Sequence, residues 1–188
     1  PIVAQNFVGL GSWFVFFAII EDMGERALAI SNLVRIVYLI LSIPTWGFSS
    51  ATNTIVGNLM GQANYASILP SMRKTAITCF VMTMSAALPI IIWPETFLYP
   101  LLGSSDMTLI TDSKSTLYVL LIIVAFSSVI SIYVNGIAGV GATLTGLLIQ
   151  TLSAISYLIA IYVVVDIWQS TLNYAWSTEI IYWIAQLV

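Results

Sequence analysis

The sequence predicts an all-α, polytopic integral membrane protein, a bundle of helices that crosses the bilayer several times. Charged residues make up 7% of the 188 residues and hydrophobic residues 60%, whereas about 25% of the residues in a soluble domain are charged. Five basic and eight acidic side chains could not cover the surface of a soluble domain, but lipid removes that requirement. The apolar runs are continuous, which favours helices over a membrane β-barrel.

The composition also argues against several classes of function. A formal net charge of −3 and the lack of a basic patch argue against nucleic acid as a partner. Histidine is absent, which removes the usual general base and the commonest metal-binding side chain. Cys79 is the only cysteine, so no internal disulfide is expected. Without an enzyme motif or a P-loop, we expect no catalytic residue, no metal site, no cofactor and no ATP-driven step.

Six apolar segments follow one another along the chain, and each is predicted to be a span. A straight span needs roughly 20 residues, and the last segment is shorter than that. Because the chain starts at Pro1 and stops at Val188 within apolar sequence, we expect a single lobe over residues 1–188, cut from a longer chain. The predicted spans cover about residues 1–20, 27–60, 75–93, 115–134, 144–165 and 178–188.

The first span carries two strongly polar side chains, Gln5 and Asn6, near its start. Gly9 and Gly11 form a patch of small residues, which lets helices approach closely in lipid. The charged turn over residues 21–26 follows this span.

The second span is too long to cross a bilayer of about 30 Å without tilting, bending or projecting from it. Pro44 removes a backbone donor and Gly47 adds freedom, so these two residues are the candidate hinge. Arg35 lies within the span, where a charge costs at least about 2.5–3.5 kcal/mol. Its side chain either extends outward toward the acidic turn over residues 21–25 or lines a water-filled cavity.

The segments between the later spans differ in charge. A polar turn over residues 61–72 precedes Arg73 and Lys74. The segment 95–114, with Glu95, Asp106 and Asp112, is the longest stretch outside a span, and residues 135–143 form a glycine-rich turn. Another polar turn covers residues 166–177, and Glu179 lies at the edge of this acidic region.

The distribution of charge predicts the orientation. Alternate loops are acidic, whereas the turn with Arg73 and Lys74 carries no acid. The positive-inside rule therefore places the Arg73–Lys74 turn in the cytoplasm and the protein in the plasma (inner) membrane.

The residues of the second span form a recognisable pattern. Gly24, Ala27-Leu-Ala29, Arg35, Pro44-Thr-Trp-Gly47, Ala51, Val56-Gly57 and Gly61-Gln-Ala63 resemble the seventh and eighth helices of the multidrug and toxic compound extrusion (MATE) family. Gly136, Gly139, Gly141 and Thr143 are similar to the family's turn between helices ten and eleven. The resemblance implies half of a twelve-helix, two-lobe transporter, whose partner is the missing N-terminal lobe and whose first, second and fourth spans line the cleft.

The chain departs from this family at its acidic positions. Gly9 stands where helix seven often carries an acid, Ser127 and Ser128 stand mid-way along helix ten, and Ala142 replaces an aspartate before Thr143. The lobe therefore offers no obvious carboxylate within the membrane. The resemblance implies that the coupling cation, H⁺ or Na⁺, binds mainly outside this fragment, in the missing lobe.

Seven polar residues within the spans are candidates for the lining of a substrate cavity. Each of them could instead make hydrogen bonds between helices. They are Gln5, Asn6, Asn32, Arg35, Asn53, Ser127 and Ser128.

The resemblance implies a secondary transporter that exports small organic solutes or drugs by cation-coupled antiport with alternating access. Two alternatives remain open. One is a flippase for lipid-linked saccharides from the same superfamily, and the other is a membrane scaffold that transports nothing.

Overall fold

The computed structural model of the protein describes residues 1–102 and 107–187. Within these ranges, all regular structure is helical. Seven α-helices follow one another: α1 (Ile2–Asp22), α2 (Glu25–Gly61), α3 (Ile68–Ile92), α4 (Pro94–Leu102), α5 (Met107–Gly139), α6 (Thr143–Tyr162) and α7 (Leu172–Ala185). A 3₁₀ turn, Tyr65–Ser67, precedes α3, and a π-helical turn, Val163–Ile167, follows α6.

Five of the described helices are long and apolar enough to cross a membrane, namely α1, α2, α3, α5 and α6. The apolar stretches of these helices are mostly exposed, since between 11% and 44% of their residues are buried inside the protein. Such helices suit a lipid environment, because water would not solvate that much apolar surface. The all-α membrane bundle predicted from the sequence is therefore confirmed. The described part of α7 has 14 residues and is shorter than a full span.

Helix α3 begins earlier than predicted. It starts at Ile68, because Pro70 falls in the first turn, where a missing backbone donor costs no helical hydrogen bond. Arg73 and Lys74 consequently lie inside the helix, and the prediction that they belong to a turn is wrong. Both side chains are exposed, and which side of the membrane they face stays a prediction.

The segment between the third and fourth spans is also more helical than predicted. Helix α4 covers its start, and α5 begins at Met107 rather than near residue 115. Asp106 lies outside the described residues. At the other end, α5 continues to Gly139, which shortens the expected glycine-rich turn to residues 140–142. Gly141 has a φ of +87° there, a conformation that glycine adopts without steric cost.

The last helix extends further toward the N-terminus than predicted. Helix α7 starts at Leu172, after Thr171 in extended conformation, whereas the predicted span starts at residue 178. Asn173, Ser177 and Thr178 gave this region the composition of a turn. Asn173 in fact accepts a hydrogen bond from Thr116 at 2.7 Å. The earlier start places Glu179 two turns inside a helix. Val188, the last residue of the predicted span, is outside the described part.

Helix α2 runs unbroken from Glu25 to Gly61 through Pro44 and Gly47. Its 37 residues correspond to roughly 55 Å at about 1.5 Å per residue, which exceeds the hydrocarbon core of about 30 Å. Proline removes one hydrogen bond from the helix without ending it here. Flexing at Pro44 and Gly47 stays a prediction.

Two groups of helices pack against each other around a shared core. Helices α2, α3 and α5 form one group, and α1 packs mainly on α6, with α7 packed on both α5 and α6. Phe16 connects α1 to α6 and α7, because its ring contacts Tyr157 at 6.1 Å and Trp176 at 5.2 Å between centroids. The indole of Trp176 donates a hydrogen bond to Ser31 Oγ at 3.0 Å. This buried bond ties α7 to α2.

Ion pairs neutralise two basic residues near the acidic segments. Arg26 binds Asp112 at 2.6 Å, and Lys114 binds Glu95 at 2.5 Å. The hydrogen bond from Lys114 holds the pKa of Glu95 below its ordinary value. Arg26 and Lys114 lie with the acidic segments, on the predicted outer side. Because both are in ion pairs, they are weak evidence against the predicted orientation.

The closest approach of α2 and α5 depends on Gly139. A Cβ atom there would lie 2.8 Å from the backbone oxygen of Asn53 and 2.8 Å from Cβ of Val56. A side chain at this position would push the helices apart, since small residues permit such close packing in membranes.

We expect Gly139→Ala to destabilise the full-length protein by about 1–3 kcal/mol, the usual cost of overpacking. Thermal unfolding in detergent measures the loss. The matched control is Gly61→Ala, which also changes the last residue of a helix but has nothing within 4 Å of the added atom. Equal melting temperatures for the two variants would contradict the proposed steric role of Gly139.

Candidate functional site

A cavity with a volume of about 500 Å³ lies among α1, α2, α6 and α7. Helix α1 supplies the longest stretch of its wall. The lining residues are Gln5, Asn6, Gly9, Leu10, Ser12, Trp13, Tyr38, Leu39, Trp46, Gln150, Tyr157, Glu179, Tyr182 and Trp183. We call this space the aromatic cavity, because six of these fourteen side chains are tryptophan or tyrosine.

Aromatic rings face one another around this cavity. The rings of Trp13 and Tyr38 are 5.4 Å apart between centroids, and those of Tyr157 and Tyr182 are 5.8 Å apart. Trp183 meets Tyr182 edge-on at 5.4 Å. Such an arrangement offers ring faces of negative potential, which attract cations and stack on planar molecules.

Glu179 is the one acidic residue that lines the aromatic cavity, and only 4% of its surface is exposed. The Tyr157 hydroxyl and the Trp13 indole lie close enough to its carboxyl to act as hydrogen-bond donors toward it. The Tyr157 hydroxyl is fully buried and makes no well-aligned hydrogen bond within the described part of the chain. Glu179 is thus a buried carboxyl that the sequence analysis did not identify as part of a cavity.

A second, smaller cavity of about 190 Å³ lies among α1, α2, α5 and α6. Three asparagines make it the more polar of the two. Its lining residues are Ile2, Gln5, Asn6, Asn53, Val134, Asn135, Ala138 and Gln150. We call it the polar cavity. Gln5, Asn6 and Gln150 line both spaces, so these three side chains stand at the division between them.

Two glutamines fit against glycines on the opposite helix at this division. The amide of Gln5 occupies the space that a Cβ at Gly146 would need, and the amide of Gln150 lies 3.3 Å from the equivalent position at Gly9. Gln150 also donates a hydrogen bond to the Tyr182 hydroxyl at 2.5 Å. Glycine at these two positions thus lets polar side chains lie between α1 and α6.

Of the candidate residues from the sequence, the structure brings Gln5, Asn6 and Asn53 to the two cavities. Asn32 and Arg35 line neither cavity. The guanidinium of Arg35 lies over the ring of Phe17, 4.8 Å from its centroid. This cation–π contact is a third placement, different from both alternatives that the sequence left open.

Ser127 and Ser128 are buried on α5 and line neither cavity. Their hydroxyls donate to the carbonyls of Val124 and Ala125 at 3.1 and 2.9 Å. Helix α5, the fourth span, contributes to the polar cavity but not to the aromatic one. Instead, α6 and α7 supply the far wall, which the family resemblance did not imply. No group of three potential metal-ligating side chains occurs in residues 1–102 and 107–187.

Sequence reasoning missed Glu179, Gln150 and the tyrosines around them. One signal was available: Trp176, Glu179, Tyr182 and Trp183 recur at intervals of three and four residues, which places them along one side of a helix. The polar residues before Glu179 hid this helix, because they resembled a turn.

Comparisons with known proteins agree with this architecture. The family model described as MatE matches residues 1–164, while no curated protein matches the chain in sequence. A MATE structure in complex with MaL6 superposes with a TM-score of 0.87 at 15% identity, covering 98% of this chain and 42% of that one.

Two further structures are similar to the whole of this chain, each with a TM-score of 0.84 and 12% identity. One is a MOP superfamily transporter from Pyrococcus furiosus, described as having a binding pocket of reverse polarity. The other is an outward-facing multidrug resistance MATE family transporter. This chain covers about 41% of each. Such low identities show the shared fold alone. Because the family model matches 164 of the 188 residues, the chain belongs to the MatE family and has the fold of one lobe of its transporters.

Proposed function

We propose that this chain is one lobe of a secondary active transporter that exports small organic solutes by cation-coupled antiport. The observation that carries the proposal is the aromatic cavity, which combines six aromatic side chains with a single buried carboxyl. Membership of the MatE family supports a role in membrane transport. The protein would act in the plasma membrane, surrounded by lipid.

The size and lining of the aromatic cavity favour a planar organic cation as substrate. Its volume of about 500 Å³ falls within the roughly 300–1,000 Å³ of sites for drug-sized ligands. A planar ring in the cavity would stack on an aromatic face such as that of Trp13, and its positive charge would be near Glu179. Cation–π contacts contribute about 0.5–2 kcal/mol each, and they are stronger when water is excluded.

The missing N-terminal lobe would cover the exposed face of α1. Phe7 and Phe14 of this face are 74% and 78% exposed, and Leu10 between them is 73% exposed while lining the aromatic cavity. These residues are spaced by three and four, so they share one side of the helix. Rocking of two lobes about such a face would expose the cavity alternately to the two sides of the membrane.

The structure disfavours the two alternative functions. A flippase for lipid-linked saccharides must hold phosphate groups, yet no arginine or lysine lines either cavity of the described structure. A scaffold that transports nothing has no use for a buried carboxyl beside an open cavity, since burying such a group costs free energy.

We expect cells that express the full-length protein to accumulate less ethidium than cells with the empty vector, because this planar cation suits the aromatic cavity. Fluorescence of the intracellular dye follows the export. Unchanged accumulation of ethidium and of several other dyes would contradict export of organic cations.

We expect Trp13→Ala to raise the KM for ethidium export about fivefold, because the loss of one cation–π partner costs roughly 1 kcal/mol. The matched control is Trp93→Ala, which removes an exposed tryptophan that ends α3 and lines neither cavity. Dye export measured over a range of concentrations gives both values. Equal KM values for the two variants would show that Trp13 does not contact the substrate.

We expect a cysteine at position 53 to react with a water-soluble maleimide, since Asn53 lines the polar cavity. The native Cys79 is fully buried and is replaced by serine in both variants. Ser128→Cys is the control and should stay unlabelled, because Ser128 is buried away from both cavities. No labelling of Asn53→Cys from either side of the membrane would favour the scaffold.

A further inference from the structure

We infer that Glu179 on α7 binds the coupling proton of this lobe, and that an organic cation in the aromatic cavity displaces that proton. This inference rests on the proposed function and adds the ion and the residue that binds it. It places a coupling site inside this chain, whereas the sequence led us to expect that site mainly in the missing lobe.

The burial of Glu179 makes the charged form of its carboxyl costly in free energy. The side chain is 4% exposed, and an unpaired buried carboxylate costs much free energy. Among the described residues, no arginine or lysine forms an ion pair with it, whereas Arg26 pairs with Asp112 and Lys114 with Glu95. The carboxyl must therefore be neutralised by something that enters the cavity, either a proton or a cation.

The groups around the carboxyl suit a proton better than a sodium ion. Hard metal cations require several oxygen ligands, but the Trp13 indole is a donor only and the Tyr157 hydroxyl acts on the carboxyl as a donor. No second carboxylate lines the aromatic cavity. These donors can stabilise the carboxylate after its proton leaves, which a reversible proton site requires.

The other titratable groups on the helices packed near Glu179 do not compete with it for a proton. Tyr38 of α2, Tyr157 of α6 and Tyr182 of α7 interact with the carboxyl electrostatically, and tyrosine is neutral at physiological pH. Arg35 lies over Phe17. Asp166, which follows α6, is exposed.

Helix α5, which also packs on α7, adds no competing group. Its Asp112 and Lys114 are in ion pairs, and Tyr118 is exposed. Tyr133 packs against a separate cluster with Ala76 and Cys79. Glu179 is therefore the one acidic group in the lining of the aromatic cavity that can hold a proton or pair with a cation.

One carboxyl that accepts either a proton or an organic cation couples the two by competition. When the cation binds beside Glu179, the O–H bond of the carboxyl breaks and the proton passes to water in the cavity. When a proton returns, the O–H bond forms again and the cation loses its counter-charge and dissociates. One proton is exchanged for one monovalent cation.

Gln150 is a positioning residue for this exchange. It holds the Tyr182 hydroxyl at 2.5 Å, and Tyr182 lies one turn beyond Glu179 on α7. Because Gln150 lines both cavities, this link adjoins the polar cavity, which offers a path for water to the carboxyl.

The test measures ethidium binding and proton release with the purified full-length transporter in weakly buffered detergent solution. In the wild type, at pH values where the carboxyl is protonated before ethidium binds, we expect ethidium to release about one proton per site and its apparent Kd to rise about tenfold for each unit by which pH falls. In Glu179→Gln, residual binding should release no proton and should not depend on pH. Glu179→Asp should restore both effects, and Glu21→Gln, which changes an exposed acid at the end of α1, should behave like the wild type.

A second measurement covers the case in which Glu179→Gln fails to fold or to bind. A hydrophobic carbodiimide modifies protonated buried carboxyls, and mass spectrometry of the wild type should find Glu179 modified and protected by ethidium. Proton release that persists in Glu179→Gln, or a Glu179 that ethidium does not protect, would overturn the inference and leave the proposed function intact. A wild type that binds neither ethidium nor other organic cations would instead refute the proposed function.

Discussion

The burial of one carboxyl in an apolar helix bundle is the constraint on which this lobe depends. A charge at the centre of a membrane helix costs at least about 2.5–3.5 kcal/mol, so Glu179 needs polar neighbours that most of the bundle lacks. The protein supplies Trp13 on α1 and Tyr157 on α6 as donors near the carboxyl, and the Gln150–Tyr182 hydrogen bond lies in the wall of the same cavity. The aromatic cavity forms where α1, α2, α6 and α7 meet around Glu179.

Small residues make this convergence possible. Gly9 and Gly146 let two glutamines lie between α1 and α6, and Gly139 lets α2 approach α5. Where the helices pack most tightly, the rings of Phe16 and Trp176 fill the space, and the Trp176–Ser31 hydrogen bond connects α7 to α2. Rigid packing on one side of the cavity and an exposed apolar face of α1 on the other suit a lobe that moves as a unit against a second one.

The sequence predicted the membrane bundle and its family because hydropathy and the glycine and proline pattern of α2 are properties of the chain itself. Gln5, Asn6 and Asn53 could be identified as cavity candidates, since polar residues in a span need a polar environment. Glu179 could not be identified in this way, because the polar residues from Asn173 to Thr178 resemble a turn. The hydrogen bond that Asn173 accepts from Thr116 of α5 is a tertiary contact, which the sequence does not reveal. Arg35 was a cavity candidate that lines neither cavity, because only the packing of the helices shows that its guanidinium lies over Phe17.

The most direct test of this account is a structure of the full-length transporter with ethidium bound. The account predicts ligand density in the aromatic cavity, stacked on the ring of Trp13 with its positive ring within about 5 Å of the Glu179 carboxyl. Density confined to the other lobe, with side chains filling the aromatic cavity of this one, would contradict it.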